Sequence, residues 1–247
     1  MDHIKKYINS VGLDFPTTEQ ELDNFERIHQ DKKHIIPEGK ADPYDILKRI
    51  KQKNEGQKSK KKYFKRVVLA AEITYKCHSH RTFGRVKFQK LQYLCEQASN
   101  MELQNNYLKK AAGPFDNKFI HSIGNEFKKL GWFNVEKVNN NGYEKVNYTP
   151  LDNVHNYNQY YSRYFQQENE KIQYIINLFV ESKTREVELV ATIFYCWKEI
   201  KNEKSIFSNQ LIIKKVYAWA KEKKKFTERE IINKISWMQT KGIYPIN

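Results

Sequence analysis

Apolar residues recur at helical spacing along most of this chain, and one stretch, residues 82–149, organises the rest. Near the N-terminus, Ile4, Tyr7, Ile8 and Val11 share one helical face, which Gly12 ends. Thr18 with Glu21 forms a capping box for a helix carrying Leu22, Phe25 and Ile28. Asp42 before Pro43 opens a third, lined by Tyr44, Leu47 and Ile50. Polar and basic residues without an apolar anchor follow over 54–61 and read as a linker. A helix over 63–77 points Phe64, Val67, Val68, Ala71 and Tyr75 inward. Another, from about 85 to 98, is built on Val86, Leu91, Leu94 and Cys95.

Residues 105–112 predict a further short helix, which Gly113-Pro114 breaks. Asp116 is the natural cap of the next helix, whose apolar stripe is Phe119, Ile120, Ile123, Phe127 and Leu130. Gly131 closes it. Residues 132–138 and 143–148 then read as two strands around Asn-Asn-Asn-Gly. Residues 152–181 predict one long helix, and 184–200 another. Phe207-Ser208 starts the next, and a capping box of Thr227 and Glu230 opens the last, with Ile231, Ile235 and Met238 inward.

Helix, helix, hairpin in that order predicts a winged-helix domain over 62–150 with a small β-hairpin as its wing. A helical N-terminal arm (1–53) and the basic linker (54–61) precede it, and a helical C-terminal domain (151–247) follows. The protein is expected to be mainly α.

Composition adjusts this picture. The 247 residues allow two modest cores, and 14% aromatic content predicts cores built on Phe, Tyr and Trp. A formal net charge of +15 attracts polyanions, and duplex DNA presents a dense line of phosphates. Cys77, Cys95 and Cys196 stand far apart with no CxxC spacing, which argues against a disulfide framework and fits a reducing cytoplasm. No apolar run approaches the roughly 18 residues of a spanning helix. The N-terminus has no apolar signal region. A cytoplasmic protein without membrane contact is expected.

The polar face of the 116–130 helix is the best candidate site. Base reading needs amides and imidazoles, which Asn117, Asn125 and His121 supply, with Ser122 among them. Phosphate contact needs cations, which Lys118, Lys128 and Lys129 supply, with Lys137 and Lys145 on the hairpin. The same residues equally suit an ordinary solvated face. Residues 77–81, Cys-His-Ser-His-Arg, lack the second ligand cluster that zinc needs. Neither GxSxG nor a Walker loop occurs. No catalytic residue, cofactor or metal is therefore assigned, and the protein is not expected to be an enzyme. Tyr157, Tyr160, Tyr161 and Tyr164 offer surfaces for base stacking, but a stripe at helical spacing reads first as core.

At TFGRVKFQKLQYLCE and AAGPFDNKFIHSIGNEFKKLGWF the chain resembles the C-terminal extensions of some DNA-specificity and methyltransferase subunits of type I restriction–modification systems. EVELVATIFYCWKEI and FTEREIINKISWMQTKGIYP resemble the end of that region, so the likeness spans roughly 60–247. The first part is also distantly similar to antitoxin-like domains. No NPPY methyltransferase motif and no paired target-recognition domains accompany it. The resemblance implies a non-catalytic module with double-stranded DNA and restriction–modification subunits as partners. The alternative is a protein–protein module, an antitoxin or a subunit-docking domain, with little DNA affinity.

Overall fold

A computed structural model describes residues 43–103, 105–140 and 143–245. The helices expected over 1–42 and the turn residues Asn141 and Gly142 lie outside them. Among the described residues the chain is mainly helical, with small antiparallel hairpins. It divides into two units, Met1–Lys60 and Lys61–Asn247.

Helix α1 (Pro43–Cys77) covers 35 residues, so the stretch 54–61, expected as a linker, is helical instead. Its Lys, Gln and Glu residues are unbranched and lose little rotamer freedom in a helix. A helix also needs no apolar anchor where its side chains face water.

In the second unit, α1 from Val67 to Ile73 and α2 (Arg85–Ala98) from Lys87 to Glu96 are buried all round. Helix α2 packs on α5 (Asn169–Phe179) and α6 (Thr184–Asn202). Residues expected to form separate domains on either side of position 150 therefore share one core. Helices α7 (Asn209–Trp219) and α8 (Glu228–Thr240) complete it through Ile212, Val216, Ile231, Ile235 and Met238.

Where a helix was expected over 105–112, strand β1 (Leu108–Lys110) pairs antiparallel with β2 (Gly113–Phe115). The alanines favour helix, but Gly113 has φ 102°, a backbone that turns the chain back on itself. A β-carbon there would meet Thr192 Oγ1 of α6 at 2.9 Å, so the glycine also admits the close approach of β2 to that helix.

Helix α3 (Asn117–Leu130) has both predicted ends. The Asp116 carboxylate accepts from Phe119 N at 3.1 Å, and Gly131 takes the left-handed conformation with φ 71°. Trp132 N then reaches back to Phe127 O at 2.9 Å. A β-carbon on Gly131 would lie 2.8 Å from Asn153 Nδ2. Gly131→Ala is expected to destabilise the fold by more than about 1 kcal/mol, read as a lower urea midpoint at unchanged m-value.

Strands β3 (Phe133–Asn140) and β4 (Tyr143–Pro150) form the expected hairpin, longer than the sequence pattern marks. The single helix expected over 152–181 is broken. A short 3₁₀ turn leads into α4 (Tyr157–Tyr164), and α5 starts only at Asn169. A straight 30-residue helix would run about 45 Å. The break at 165–168 lets Tyr157, Tyr161 and Phe165, then Ile172, Ile176 and Phe179, all turn into the same core.

Candidate nucleic-acid interface

The polar residues of the QKLQYL segment face inward. Lys87, Gln89, Lys90, Gln92 and Glu96 of α2 are all buried. Lys87 Nζ donates to Thr82 Oγ1 (2.8 Å) and to Val180 O and Ser182 O (both 2.7 Å), tying α2 to the end of α5. Gln89 Nε2 donates to Asp116 O (3.3 Å), and Gln92 Nε2 to Glu96 Oε1 (2.7 Å). Glu96 also accepts from Arg66 Nε at 2.8 Å, and Arg66 Nη1 donates to Asp116 Oδ2 at 2.8 Å. Burial lowers the proton affinity of Arg66, but Glu96, Tyr107 and Asp116 more than offset this and hold it above its ordinary value. These α2 residues, with Arg66 and Asp116, join elements together, and all of them are buried.

Lys90 has a measurable consequence. Its ammonium donates to Pro114 O inside the core. Burial, with a contribution from nearby Lys223, pushes it down to about 7, against the pull of Glu188. Between that value and the ordinary 10.5 the unfolded chain binds the extra proton, so stability rises with pH across the window. Burial lowers Lys87 and Lys223 in the same sense. The urea midpoint should climb from about pH 7 to about pH 8, before the thiols of the unfolded chain, whose buried counterparts stay protonated, begin to ionise. Lys90→Met should remove part of that climb.

The α3 face is arranged differently. Phe119, Ile123 and Phe127 are buried, while Asn117, Lys118, His121, Asn125, Lys128 and Lys129 are exposed. On one side of this face Gly124 lies against β3, where a β-carbon would sit 3.5 Å from Val135 Cβ. On the other side Tyr63 Oη of α1 donates to Ser122 Oγ at 2.8 Å. Ser122 Oγ in turn donates to Phe119 O at 3.0 Å. Of the candidate residues on α3, Ser122 is thus the one whose hydroxyl is engaged within the fold. The exposed face lies between the hairpin and α1, which adds exposed Lys61 and Lys62 nearby in sequence to Tyr63. Glu126, half-buried, borders the same face.

The hairpin lysines do not share a face. Lys137 pairs with Val146 and Val138 with Lys145. Side chains alternate along a strand, so Lys137 lies on the face of Val135, Val146 and Tyr148, and Lys145 on the opposite one. A duplex on one face of the hairpin would meet one of the two directly.

Other candidate chemistry is used up by packing. His78 Nδ1 lies 2.9 Å from Tyr75 O, and burial pushes the Cys77 thiol up to about 12. Among the described residues no group of three or more His, Cys, Asp or Glu is placed to hold a metal ion. Tyr157 and Tyr161 are buried, and Tyr160 meets Phe64 edge-on at 5.1 Å, so the tyrosine stripe is core. Tyr157 Oη donates to buried Glu72 at 2.6 Å. Among the described residues no helix is long and apolar enough to cross a membrane. Sequence reading missed the Arg66 network. Its signal was an arginine set among the apolar residues Phe64, Val67 and Val68. Compared with known proteins, the chain matches no family model, no curated protein and no solved structure.

Proposed function

We propose that this protein is a non-catalytic DNA-binding module of a type I-like restriction–modification system, in which a winged-helix unit docks α3 and the β3–β4 hairpin on duplex DNA. The observation that carries this reading is the α3 face. Amides, an imidazole and three lysines project to solvent from a helix fixed at both ends and packed on its other side. The net charge of +15 supports it, as does the order of α1, α2, α3 and hairpin. Anisotropy of a labelled duplex, titrated across salt, tests it. Affinity should fall linearly in a log–log plot, with a slope near −0.9 per phosphate contacted. No binding at about 50 mM salt, where such contacts are strongest, would end the reading.

One observation favours the second reading, a docking module on a restriction–modification subunit or a toxin. Ile206, in the α6–α7 connection, is 91% exposed. Beside it Phe207 stacks on Trp197 at 4.4 Å, and Trp197 on Tyr244 at 5.6 Å. That reading predicts a stable protein partner and little duplex affinity; pull-down with wild-type and Ile206→Asp chains separates the two.

A further inference from the structure

We propose that the cavity at the α1–α2 loop is a phosphate-binding pocket, and that the phosphate it takes belongs to a nucleic-acid backbone. The inference rests on the DNA-binding reading and adds a contact that the α3 face does not supply. The cavity has a volume of about 270 Å³, and Arg81, Thr82, Gly84, Arg85, Lys145 and Thr184 line it.

Its charge is one-sided. Arg81, Arg85, Lys87 and Lys145 all line the cavity, and its described lining includes no carboxylate. Lys87 contributes charge but no free N–H, since its ammonium is spent on Thr82, Val180 and Ser182. The two acids that act on Lys87 are directed elsewhere: Glu181 Oε1 lies 3.6 Å from His80 Nδ1, and Glu186 Oε1 lies 2.5 Å from Lys234 Nζ.

Arg85 is the informative residue. Its guanidinium sits 5.6 Å from the centre of the Phe115 ring. Its Nε is buried and has no hydrogen-bond partner in the protein. A buried donor without a partner costs about 1–3 kcal/mol, and a charged one more, so native proteins leave few of them. A half-buried guanidinium held beside an aromatic ring, with a donor still unused, suits an anion, which its outer N–H groups would meet first. Phosphate is the anion that best matches its forked donors.

The rim is set before any ligand arrives. Thr184 Oγ1 donates to Thr82 O at 3.2 Å, and Thr82 Oγ1 accepts from Lys87, which leaves its own hydrogen to donate. Phe83 packs edge-on against Phe88 at 6.2 Å and beside Tyr148 of β4 at 5.3 Å. Gly84 faces Val146 O, which would lie 3.9 Å from a β-carbon there. The loop and the hairpin are therefore joined at this point. Lys145 stands on the same hairpin that the DNA reading brings to the duplex, so the ligand's source is taken to be the backbone and not a free phosphate.

The full chain is compared with Arg85→Gln, Arg85→Lys and the pair Arg81→Gln/Lys145→Gln by duplex anisotropy across salt. Inorganic phosphate is titrated in parallel, with the thermal midpoint as readout. Arg85→Gln should lower duplex affinity about 5- to 10-fold near 0.1 M salt and reduce the log–log slope by about 1. Arg85→Lys, which keeps the charge and loses the fork, should keep the slope and recover part of the affinity, and it guards against a folding defect in the glutamine variant. If duplex binds but its slope is unchanged in the glutamine variants, the pocket is wrong and the DNA reading stands. If wild type binds no duplex, the DNA reading falls. Phosphate-dependent stabilisation lost in Arg85→Gln would then keep the pocket with a free phosphate as its source, and equal or absent stabilisation in both chains would overturn it.

Discussion

Arg66→Met is expected to cost about 3–5 kcal/mol of stability, because it leaves buried charges without their partner. Arg66 is 2% exposed, and its guanidinium bonds Glu96 and Asp116 and lies 4.1 Å from the centre of the Phe119 ring. Methionine fills much of the volume but leaves two carboxylates in the core without their cation. Burial already pushes the Glu96 carboxyl above its ordinary value, against the pull of Arg66 and Gln92. Without Arg66 it should rise further. A carboxyl with a raised folded pKa holds its proton more tightly in the folded chain, so its contribution is favourable at low pH and is lost as pH rises. The deficit of Arg66→Met should therefore shrink on acidification. Adding Glu96→Gln should recover part of it at neutral pH. Arg66→Lys should not substitute, because one ammonium cannot span Glu96 and Asp116 with a planar fork. Urea denaturation at pH 5 and at pH 8, as experimental settings, separates these outcomes. A loss below about 1 kcal/mol would show that the network matters little to stability.

Reversing charge on α3 is the second large effect. Lys118→Glu/Lys128→Glu/Lys129→Glu should lower duplex affinity on the order of 10²-fold near 0.1 M salt, since each lost phosphate contact lowers the salt slope by about 0.9. The fold should survive, because all three lysines are exposed. The helix dipole accounts for what small change there is. Glutamate is favourable at position 118, in the first turn, and unfavourable at 128 and 129, in the last, by about 0.3–1 kcal/mol each. Circular dichroism should be unchanged. An unaltered affinity would leave the exposed lysines as a solvated face.

Much of the helical framework was legible because its signals are local. Asp116, Gly131 and the Thr227–Glu230 box carry their chemistry within a few residues, and each stands where the pattern puts it. Three segments were not legible in this way. Within 105–112, Leu108–Lys110 form a strand paired with Gly113–Phe115, where Gly113 admits α6, which is far away in sequence. The break at 165–168 has no glycine or proline to announce it and follows from the shape of the core. The charged stretch 54–61 is helical although its composition reads as a tether.

The candidate site divides in the same way. Exposure of Asn117, Lys118, His121, Asn125, Lys128 and Lys129 follows from helical period, once the apolar stripe is known. Ser122 sits on that polar face too, but its partner is 59 residues away, and spacing cannot reveal it. The separation of Lys137 from Lys145 depends on hairpin register, which the turn residues alone do not fix. The inward-facing polar residues of α2 are the hardest case, since a buried lysine that finds carbonyls looks in sequence like a solvated one.

The most direct test of the central claim is a map of backbone amide shifts in the labelled full chain as duplex DNA is added. The account predicts perturbations concentrated at Asn117, Lys118, His121, Asn125, Lys128 and Lys129 and on the β3–β4 hairpin. Shifts confined to the α6–α7 connection around Ile206, or none at duplex excess, would contradict it.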